Sequence, residues 1–198
     1  MKRIISKTFF AFGTANTITA DFLYRDVLES AVPRMMSIHH HLNIFDPESE
    51  ISGINANAGK CYTRVSPDTL EVVSEALTHS VKTDGVFDIS TLPLTRLWKA
   101  AKSFPEKSSV EKARALVDHQ RICVKDDSVM LSLQGMGIDT GGIAKGYAAR
   151  LAAQLFKNSG VDDFLFNFGG TVISFGEERN IGIQNPFGRT GTYIGYVP

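Results

Sequence analysis

Residues 135–147, with the sequence GMGIDTGGIAKGY, constrain the fold more than any other part of the chain. A short apolar run from Val129 to Leu133 precedes them, and apolar residues at helical spacing follow from Ile143 to Phe156. This pattern predicts a strand, a glycine-rich turn and a helix. Paired glycines at a helix start leave backbone N–H groups unhindered, and the helix dipole adds partial positive charge there. The turn is therefore a candidate phosphate site, to which Lys145 in the first helical turn adds a charge.

Two interpretations of this turn stay open on the glycines alone. The segment matches neither GxGxxG nor GxxxxGK[ST], so no established nucleotide-binding motif decides between them. In the first, the glycines are needed only because a tight turn requires positive φ. In the second, the turn binds an anion, and Asp139 holds a hydroxyl group, an amino group or a cation.

Composition excludes several functional classes. The chain has 198 residues, 43% of them hydrophobic, enough to form the core of one large domain or two small ones. Its net charge is zero and its basic residues are scattered, which argues against a nucleic-acid partner. It has no apolar run long enough to span a membrane. Cys61 and Cys123 lie far apart, so we expect free thiols and a cytoplasmic protein, with export possible if the N-terminus is cropped.

The remaining pattern predicts an α+β fold, with antiparallel sheets packed against helices. Helices are expected over 22–42, despite Pro33, from Ser66-Pro67 to Gly85, and over 92–101. Ser108 and Glu111 fit the capping box of a further helix. Residues 45–52 are expected to form a loop. Successive residues of a helix point in directions about 100° apart, so His39, His40 and His41 are not expected to converge on one metal ion. Strands or hairpins are predicted over 7–20, 121–133, 164–168, 171–175 and 181–184.

Several short motifs occur in an order and at a spacing that match one known family over nearly the whole chain. They are FGT at 12–14, FDPESEISGIN at 45–55, GVFDISTLPL at 85–94, IDTGGIAKGY at 138–147, NFGG at 167–170 and IGIQNP at 181–186. Together they resemble the FAD:protein FMN transferase family, also called ApbE. Each motif is weak alone, and the ordered set is specific.

The resemblance implies an enzyme that splits FAD at its diphosphate, transfers FMN to a threonine or serine of a target flavoprotein, and releases AMP. It implies Mg²⁺ as the cofactor, because metal ions neutralise charge in phosphoryl transfer. The carbonyl oxygen of Ala144 would be one magnesium ligand. The FAD contacts that it implies are Phe12, Phe45, Asn55, Val86, Phe87, Asp88, Gly141, Lys145 and Tyr147.

Structural alternatives stand beside these roles. Asp88 could cap the helix that follows it, Phe45 could anchor the core, Asn55 could occupy a turn, and Lys145 could be a solvated lysine.

The sequence departs from the family pattern at several places. Phe12 replaces a methionine, Thr171 replaces an aspartate, and Arg150 replaces an acidic residue. The chain stops at Pro198, before the family's C-terminal His-x-x-Asp-Pro segment, so we expect residues 1–198 to form a flavin transferase domain that lacks this segment. The resemblance implies that this segment carries the catalytic histidine and the remaining magnesium ligands, so we expect residues 1–198 alone to bind flavin weakly and to transfer nothing. Alternative hypotheses are a non-catalytic FAD-binding relative, a Mg²⁺-dependent FAD pyrophosphatase, and a structural remnant without a ligand.

Overall fold

A computed structural model describes residues 3–189 and 191–197, so Met1, Lys2, Thr190 and Pro198 of the expected domain lie outside the described residues. The strands are β1 (Ile4–Ala11), β2 (Thr14–Asp21), β3 (Thr63–Arg64), β4 (Ile122–Lys125), β5 (Ser128–Leu131), β6 (Phe164–Phe168), β7 (Thr171–Phe175), β8 (Ile181–Gln184) and β9 (Tyr193–Val197). The helices are α1 (Arg25–Leu42), α2 (Glu50–Ala56), α3 (Pro67–Lys82), α4 (Leu92–Ala100), α5 (Lys107–Arg114) and α6 (Ala144–Asn158).

The main sheet has the strand order β1-β2-β6-β7, and all its neighbouring strands are antiparallel. Every second residue of β6 is a buried phenylalanine, namely Phe164, Phe166 and Phe168. These rings stack along one face of the sheet, and Phe156 of α6 packs edge-on against Phe166 with ring centroids 4.9 Å apart. The predicted combination of antiparallel sheets and packed helices is confirmed.

The turn between β1 and β2 consists of Phe12 and Gly13, at the bend predicted from the sequence. Their φ angles are 55° and 74°, and Ala11 pairs with Thr14 across the turn. Two-residue hairpin turns commonly need positive φ at both positions because their twist must match that of the strands. Glycine adopts this conformation freely, whereas a phenylalanine rarely does.

Helix α1 confirms the predicted helix over most of its length. A short 3-10 turn, capped by the Asp21 carboxylate, precedes its start at Arg25. Pro33 lies inside α1 on an exposed position, where the helix tolerates the missing N–H. Helix α3 begins at Pro67 with Ser66 as its N-cap, also as predicted.

Two local predictions were wrong. Residues 45–52 do not form a loop throughout, because α2 begins at Glu50 and the Ser49 hydroxyl accepts the Ser52 N–H at 3.1 Å. The capping box at Ser108 does not form either. Helix α5 starts earlier, at Lys107, after an N-cap at Glu106 that makes no side-chain capping bond.

Two smaller sheets complete the described structure. The first has the order β3-β5-β4, and its β4–β5 hairpin confirms the prediction around Asp126, which has a φ of 50°. The second consists of β8 and β9. Strand β5 leads into the glycine-rich segment, and α6 follows it, which is the strand–turn–helix arrangement expected for residues 129–156.

Candidate functional site

A cavity of about 390 Å³ lies where the β1–β2 turn, the C-terminal end of α1, helix α4 and the start of α6 approach one another. We call it the site cavity. Its volume is within the usual range for small-molecule sites, roughly 300–1,000 Å³. The side chains and backbone that line it are those of Phe10, Phe12, Gly13, His39, Leu42, Asn43, Ile44, Phe45, Lys99, Asp139, Thr140, Gly141, Ala144 and Lys145.

The residues from Gly135 to Gly142, here called the glycine turn, contribute one wall of the site cavity. Within this turn only Gly135 has a positive φ, so the interpretation that Gly141 and Gly142 need positive φ is wrong. Close approach explains them instead. A Cβ atom would lie 3.1 Å from the Asp139 Oδ1 atom at Gly141 and 3.2 Å from the Phe87 ring at Gly142.

The backbone donors of the turn differ from the expected pair of free N–H groups. The Gly141 N–H donates to Asp139 Oδ1 at 2.8 Å, so a carboxylate already occupies that donor. Within residues 3–189 and 191–197, the Gly142 N–H has no hydrogen-bond acceptor. Ile143, the N-cap of α6, makes no side-chain capping bond. The helix start can therefore receive an anion through the Gly142 N–H and its dipole.

Long-range hydrogen bonds hold the glycine turn in place. The Asn55 amide accepts the Ile138 N–H at 2.7 Å and donates to the Ile138 carbonyl at 3.1 Å. The Asp139 N–H donates to the Ile89 carbonyl at 2.8 Å, and the Thr140 hydroxyl donates to the Leu42 carbonyl at 3.1 Å. Three separate segments thus fix the position of the turn.

Aromatic residues also line the site cavity. Phe10 and Phe45 are 67% and 76% exposed, so much of their apolar surface is accessible to a ligand. The Lys99 ammonium lies 5.0 Å from the centre of the Phe45 ring, and the Lys145 side chain also borders the cavity. The cavity therefore combines aromatic surface with positive charge.

His39 of helix α1 contacts Phe12 of the β1–β2 turn. Its Nδ1 atom accepts the Phe12 N–H at 3.2 Å, and its ring meets the Phe12 ring edge-on with centroids 5.4 Å apart. Burial lowers the pKa of His39 below its usual value, while the charge of Asp46 acts in the opposite direction. His39 is therefore a neutral imidazole at neutral pH.

The other two histidines of the tract have separate partners. His40 Nδ1 lies 2.9 Å from an Asp46 oxygen, and His41 Nδ1 lies 3.2 Å from the Ser66 hydroxyl. The three rings do not converge on one point, as their spacing on the helix predicts.

Five of the ten residues predicted for FAD or metal binding line the site cavity: Phe12, Phe45, Gly141, Ala144 and Lys145. The other five lie elsewhere: Asn55, Val86, Phe87, Asp88 and Tyr147. Asn55 holds Ile138, Phe87 packs beneath Gly142, and the Val86 side chain is 90% exposed outside the cavity. Ligand contacts by these five residues stay predictions.

Asp88 has the structural role that the sequence left open. One of its oxygens accepts the Ser90 N–H at 2.7 Å and the Ser90 hydroxyl at 2.6 Å, and the other accepts the His119 N–H at 2.9 Å. Asp88 caps the short helical turn before α4 and joins it to the segment before β4. These three bonds occupy most of the roughly four acceptor positions of the carboxylate.

Tyr147 is buried between helices α6 and α3. Its hydroxyl lies 2.9 Å from Asp68 Oδ1 and 3.0 Å from Glu71 Oε2. Burial and hydrogen bonding to these carboxylates raise the pKa of Tyr147. Arg34 of α1 makes two bonds of 2.5 Å to Asp68, so this cluster joins three helices.

Arg150, which reverses a charge of the family pattern, also belongs to the contact between α6 and α3. Its guanidinium lies 2.6 Å from Glu75 and 3.2 Å from Glu71. It does not line the site cavity. The departure at Arg150 is therefore balanced by acidic residues of α3, and it does not place a new charge at the site.

The part of the chain that the structure describes contains no group of three or more His, Cys, Asp or Glu side chains that could hold a metal ion. Ala144 and one carboxylate residue, Asp139, are among the residues that line the site cavity. Magnesium is often bound by one or two carboxylates together with substrate phosphates and water. This partial set fits Mg²⁺ when a bound diphosphate supplies further oxygens.

Sequence reasoning missed several residues of the cavity. Phe10 and Lys99 belong to none of the motifs, Thr140 lies in the motif at 138–147 but was assigned no role, and His39 was considered only as part of the histidine tract. The signal for His39 was its place in α1 one turn before the helix ends, near the conspicuous Phe45 segment. No described helix is both long and apolar enough to cross a membrane.

The fold and the site define an α+β protein whose cavity can accept an aromatic group joined to an anion. Comparison with known proteins identifies the family. The sequence model of the ApbE family matches residues 12–198, so the chain belongs to this family.

Curated relatives carry one common name. An FAD:protein FMN transferase of Klebsiella pneumoniae (strain 342) is 31% identical over 159 residues, covering 78% of this chain and 50% of that protein. An FAD:protein FMN transferase of Vibrio cholerae is 22% identical over 170 residues, covering 80% of this chain and 51% of that protein. The chain spans about half the length of these relatives.

Solved structures support the same fold. The flavin transferase ApbE from Vibrio cholerae superposes with a TM-score of 0.85 at 20% identity, over 94% of this chain and 65% of that chain. The ApbE protein from Thermotoga maritima gives a TM-score of 0.87 at 25% identity, over 98% of this chain and 67% of that chain. The expected ApbE-like fold is confirmed.

Proposed function

We propose that this protein is an FAD:protein FMN transferase. It transfers FMN from FAD to a threonine or serine hydroxyl of a target flavoprotein, releases AMP, and depends on Mg²⁺. The observation that carries the proposal is the site cavity, which is lined both by residues of the glycine turn and by exposed aromatic residues, in a chain of the ApbE family. The relatives that match this chain are named FAD:protein FMN transferase, which supports the proposal.

The two sides of the cavity suit the two chemical parts of FAD. Phe12 and Phe45 offer aromatic surface to the isoalloxazine or adenine ring, and such stacking contributes about 0.5–1.5 kcal/mol per pair. The Gly142 N–H, the start of α6 and the Lys145 ammonium suit the diphosphate. In this proposal Gly141 contributes through its small size, since its own N–H is bonded to Asp139.

Asp139 explains why a cation is needed. Its carboxylate lies beside the proposed diphosphate position, so an unaccompanied diphosphate would be repelled. Ala144 and Asp139 would hold Mg²⁺ together with phosphate oxygens. The ion would neutralise charge on the diphosphate when bound. Without it, we expect Lys99 and Lys145 alone to bind FAD weakly.

The remaining predicted residues act as supports in this proposal. Asn55 holds the glycine turn, Phe87 limits the space beneath Gly142, and Asp88 and Tyr147 fix the neighbouring helices. The Val86 side chain has no described role at the cavity, and its contact with FAD remains a prediction from the resemblance alone.

A direct test incubates the full-length protein with FAD, Mg²⁺ and a flavoprotein that carries an acceptor threonine. Covalent flavin fluorescence of the target and released AMP are then measured together. Labelled target with equal AMP supports the transferase, and AMP without label indicates a pyrophosphatase. FAD binding without AMP indicates a non-catalytic binder, and absence of binding contradicts the proposal.

Lys145→Gln is the informative variant, because it removes a charge of the site cavity and keeps the helix-forming side chain. Lys107→Gln is a matched control, since Lys107 begins α5, its ammonium lies 3.9 Å from Glu111, and it is not among the residues that line the site cavity. We expect Lys145→Gln to weaken FAD binding and Lys107→Gln to leave it unchanged.

A further inference from the structure

We propose that His39 is a positioning residue for FAD binding: as a neutral imidazole it holds Phe12 in the conformation that forms the aromatic wall of the site cavity. This inference rests on the proposed function, since FAD is the ligand whose affinity it affects. It adds a residue from α1 that none of the motifs includes.

The first argument is the backbone of Phe12. Its φ of 55° lies in the left-handed region, which is unusual for a bulky aromatic residue. The carbonyl groups of Ala11 and Thr14, on either side of the turn, each accept a hydrogen bond of 2.9 Å from the buried Asn16 amide. Among the described residues, the Phe12 N–H has no backbone acceptor.

His39 supplies that acceptor. Its Nδ1 atom takes the Phe12 N–H at 3.2 Å, and the two rings touch edge to face. One side chain thus fixes both the backbone and the ring of Phe12. Because Phe12, Gly13 and His39 all line the site cavity, this contact shapes the wall that a ligand meets.

The hydrogen bond requires one tautomer of His39. Nδ1 accepts a hydrogen bond in this contact, so the proton of the neutral ring is on Nε2. Protonation of the ring would turn Nδ1 into a second donor facing the Phe12 N–H. The contact therefore exists only while His39 is neutral, and acidification should release Phe12.

Charged groups around His39 act in both directions. Asp46, in the turn after α1, favours the charged ring, whereas burial and the neighbouring His40 disfavour it. The charged residues that line the cavity are Lys99 of α4, Lys145 of α6 and Asp139 of the glycine turn, while the hairpin residues that line it are uncharged. Since burial dominates and lowers the pKa of His39, the neutral form is present at neutral pH. The contact is lost as the pH falls through that lowered pKa.

Two variants distinguish the effect of the hydrogen bond from the effect of the ring contact. In His39→Asn, the Oδ1 atom takes the place of Nδ1 as an acceptor that does not titrate. His39→Phe keeps a ring and removes the acceptor. His40→Asn is the matched control, because the His40 ring contacts Asp46 and does not line the cavity.

The assay is an FAD titration of the protein with Mg²⁺ between pH 5 and pH 8, followed by flavin fluorescence. For the unaltered protein we expect constant affinity near neutral pH and a loss of about tenfold at acidic pH, the size expected for one hydrogen bond. His39→Asn should keep most of the neutral-pH affinity and show less acid weakening. His39→Phe should be about tenfold weaker at every pH, without that acid step.

A second readout needs no FAD. The nitrogen chemical shifts of His39 should show a proton on Nε2 at neutral pH, and the Phe12 amide signal should move as His39 titrates. His39→Phe with unaltered affinity and an unaltered pH profile would overturn the proposal, as would a Phe12 amide signal that ignores pH. If the protein binds no FAD at any pH, the proposed function fails, and the two NMR signals still decide whether His39 positions Phe12.

Discussion

Asn55 provides the sharpest test of how the glycine turn is held. Its side chain belongs to α2, yet both ends of its amide bond the backbone of Ile138, 83 positions further along the chain. Ile138 is fully buried, so water cannot easily replace the lost partner. Replacing Asn55 by alanine should therefore weaken the turn without removing any group that lines the site cavity.

The expected magnitude follows from the two bonds. Each contributes about 0.5–1.5 kcal/mol net, and each buried partner left unsatisfied costs about 1–3 kcal/mol. We expect Asn55→Ala to lower the free energy of unfolding by about 3 kcal/mol, with partial relaxation of the turn included. For a chain of this size, that corresponds to a fall in melting temperature of roughly 6–12 °C.

The assay is urea unfolding followed by circular dichroism, with FAD titration of the folded variant. Asn57→Ala is the control, because Asn57 is also partly buried at the end of α2 and makes one side-chain bond, to the Thr63 hydroxyl at 2.9 Å. It should cost about 1 kcal/mol and leave FAD affinity unchanged. Equal costs for the two variants, with unchanged FAD affinity in both, would refute this account of the turn.

Three further predictions follow from the supporting contacts. Asp88→Ala should cost about 2 kcal/mol through loss of the cap, with little change in FAD affinity; a large loss of affinity without destabilisation would instead support a ligand contact. Tyr147→Phe should cost about 1–2 kcal/mol in urea unfolding, because two carboxylates lose a donor, and a neutral effect would contradict that role. The Arg34 guanidinium holds the pKa of Asp68 below its usual value, so this contribution to stability is present above about pH 4 and is lost as the pH falls through the lowered pKa. Arg34→Gln should therefore flatten the acid side of the stability profile, and an unchanged profile would exclude the pair as its source.

Local signals in the sequence predicted most of the secondary structure. The Ser66-Pro67 pair marks the start of α3, and alternating phenylalanines mark β6, because caps and side-chain periodicity depend only on neighbouring residues. The start of α2 was missed since Asp46-Pro47 is also a strong turn signal. A turn does form there, and Ser49 begins the helix directly after it.

The site was only partly predictable because its contacts are long-range. His39, Lys99 and Asp139 come from three distant parts of the chain, and no local pattern shows that they share a cavity. Gly141 illustrates a second limit. A glycine can be required either because the backbone has a positive φ or because another group approaches it closely. The sequence alone does not distinguish these two reasons, and at Gly141 the structure shows close approach.

Asp88 and Tyr147 illustrate a third limit of sequence reasoning. A family motif marks residues that matter, but it does not distinguish a ligand contact from a support of the residues that make one. In this structure Asp88 accepts a hydrogen bond from the His119 N–H, and the Tyr147 hydroxyl donates to Asp68. Neither residue lines the site cavity.

The central claim is that the glycine turn and the aromatic wall together bind FAD. A crystal structure of the protein with FAD and Mg²⁺ tests it most directly. We predict a flavin or adenine ring against Phe12 and Phe45, with the diphosphate within hydrogen-bond distance of the Gly142 N–H and near Lys145. FAD bound at another surface, or a diphosphate remote from Gly142, would contradict the account.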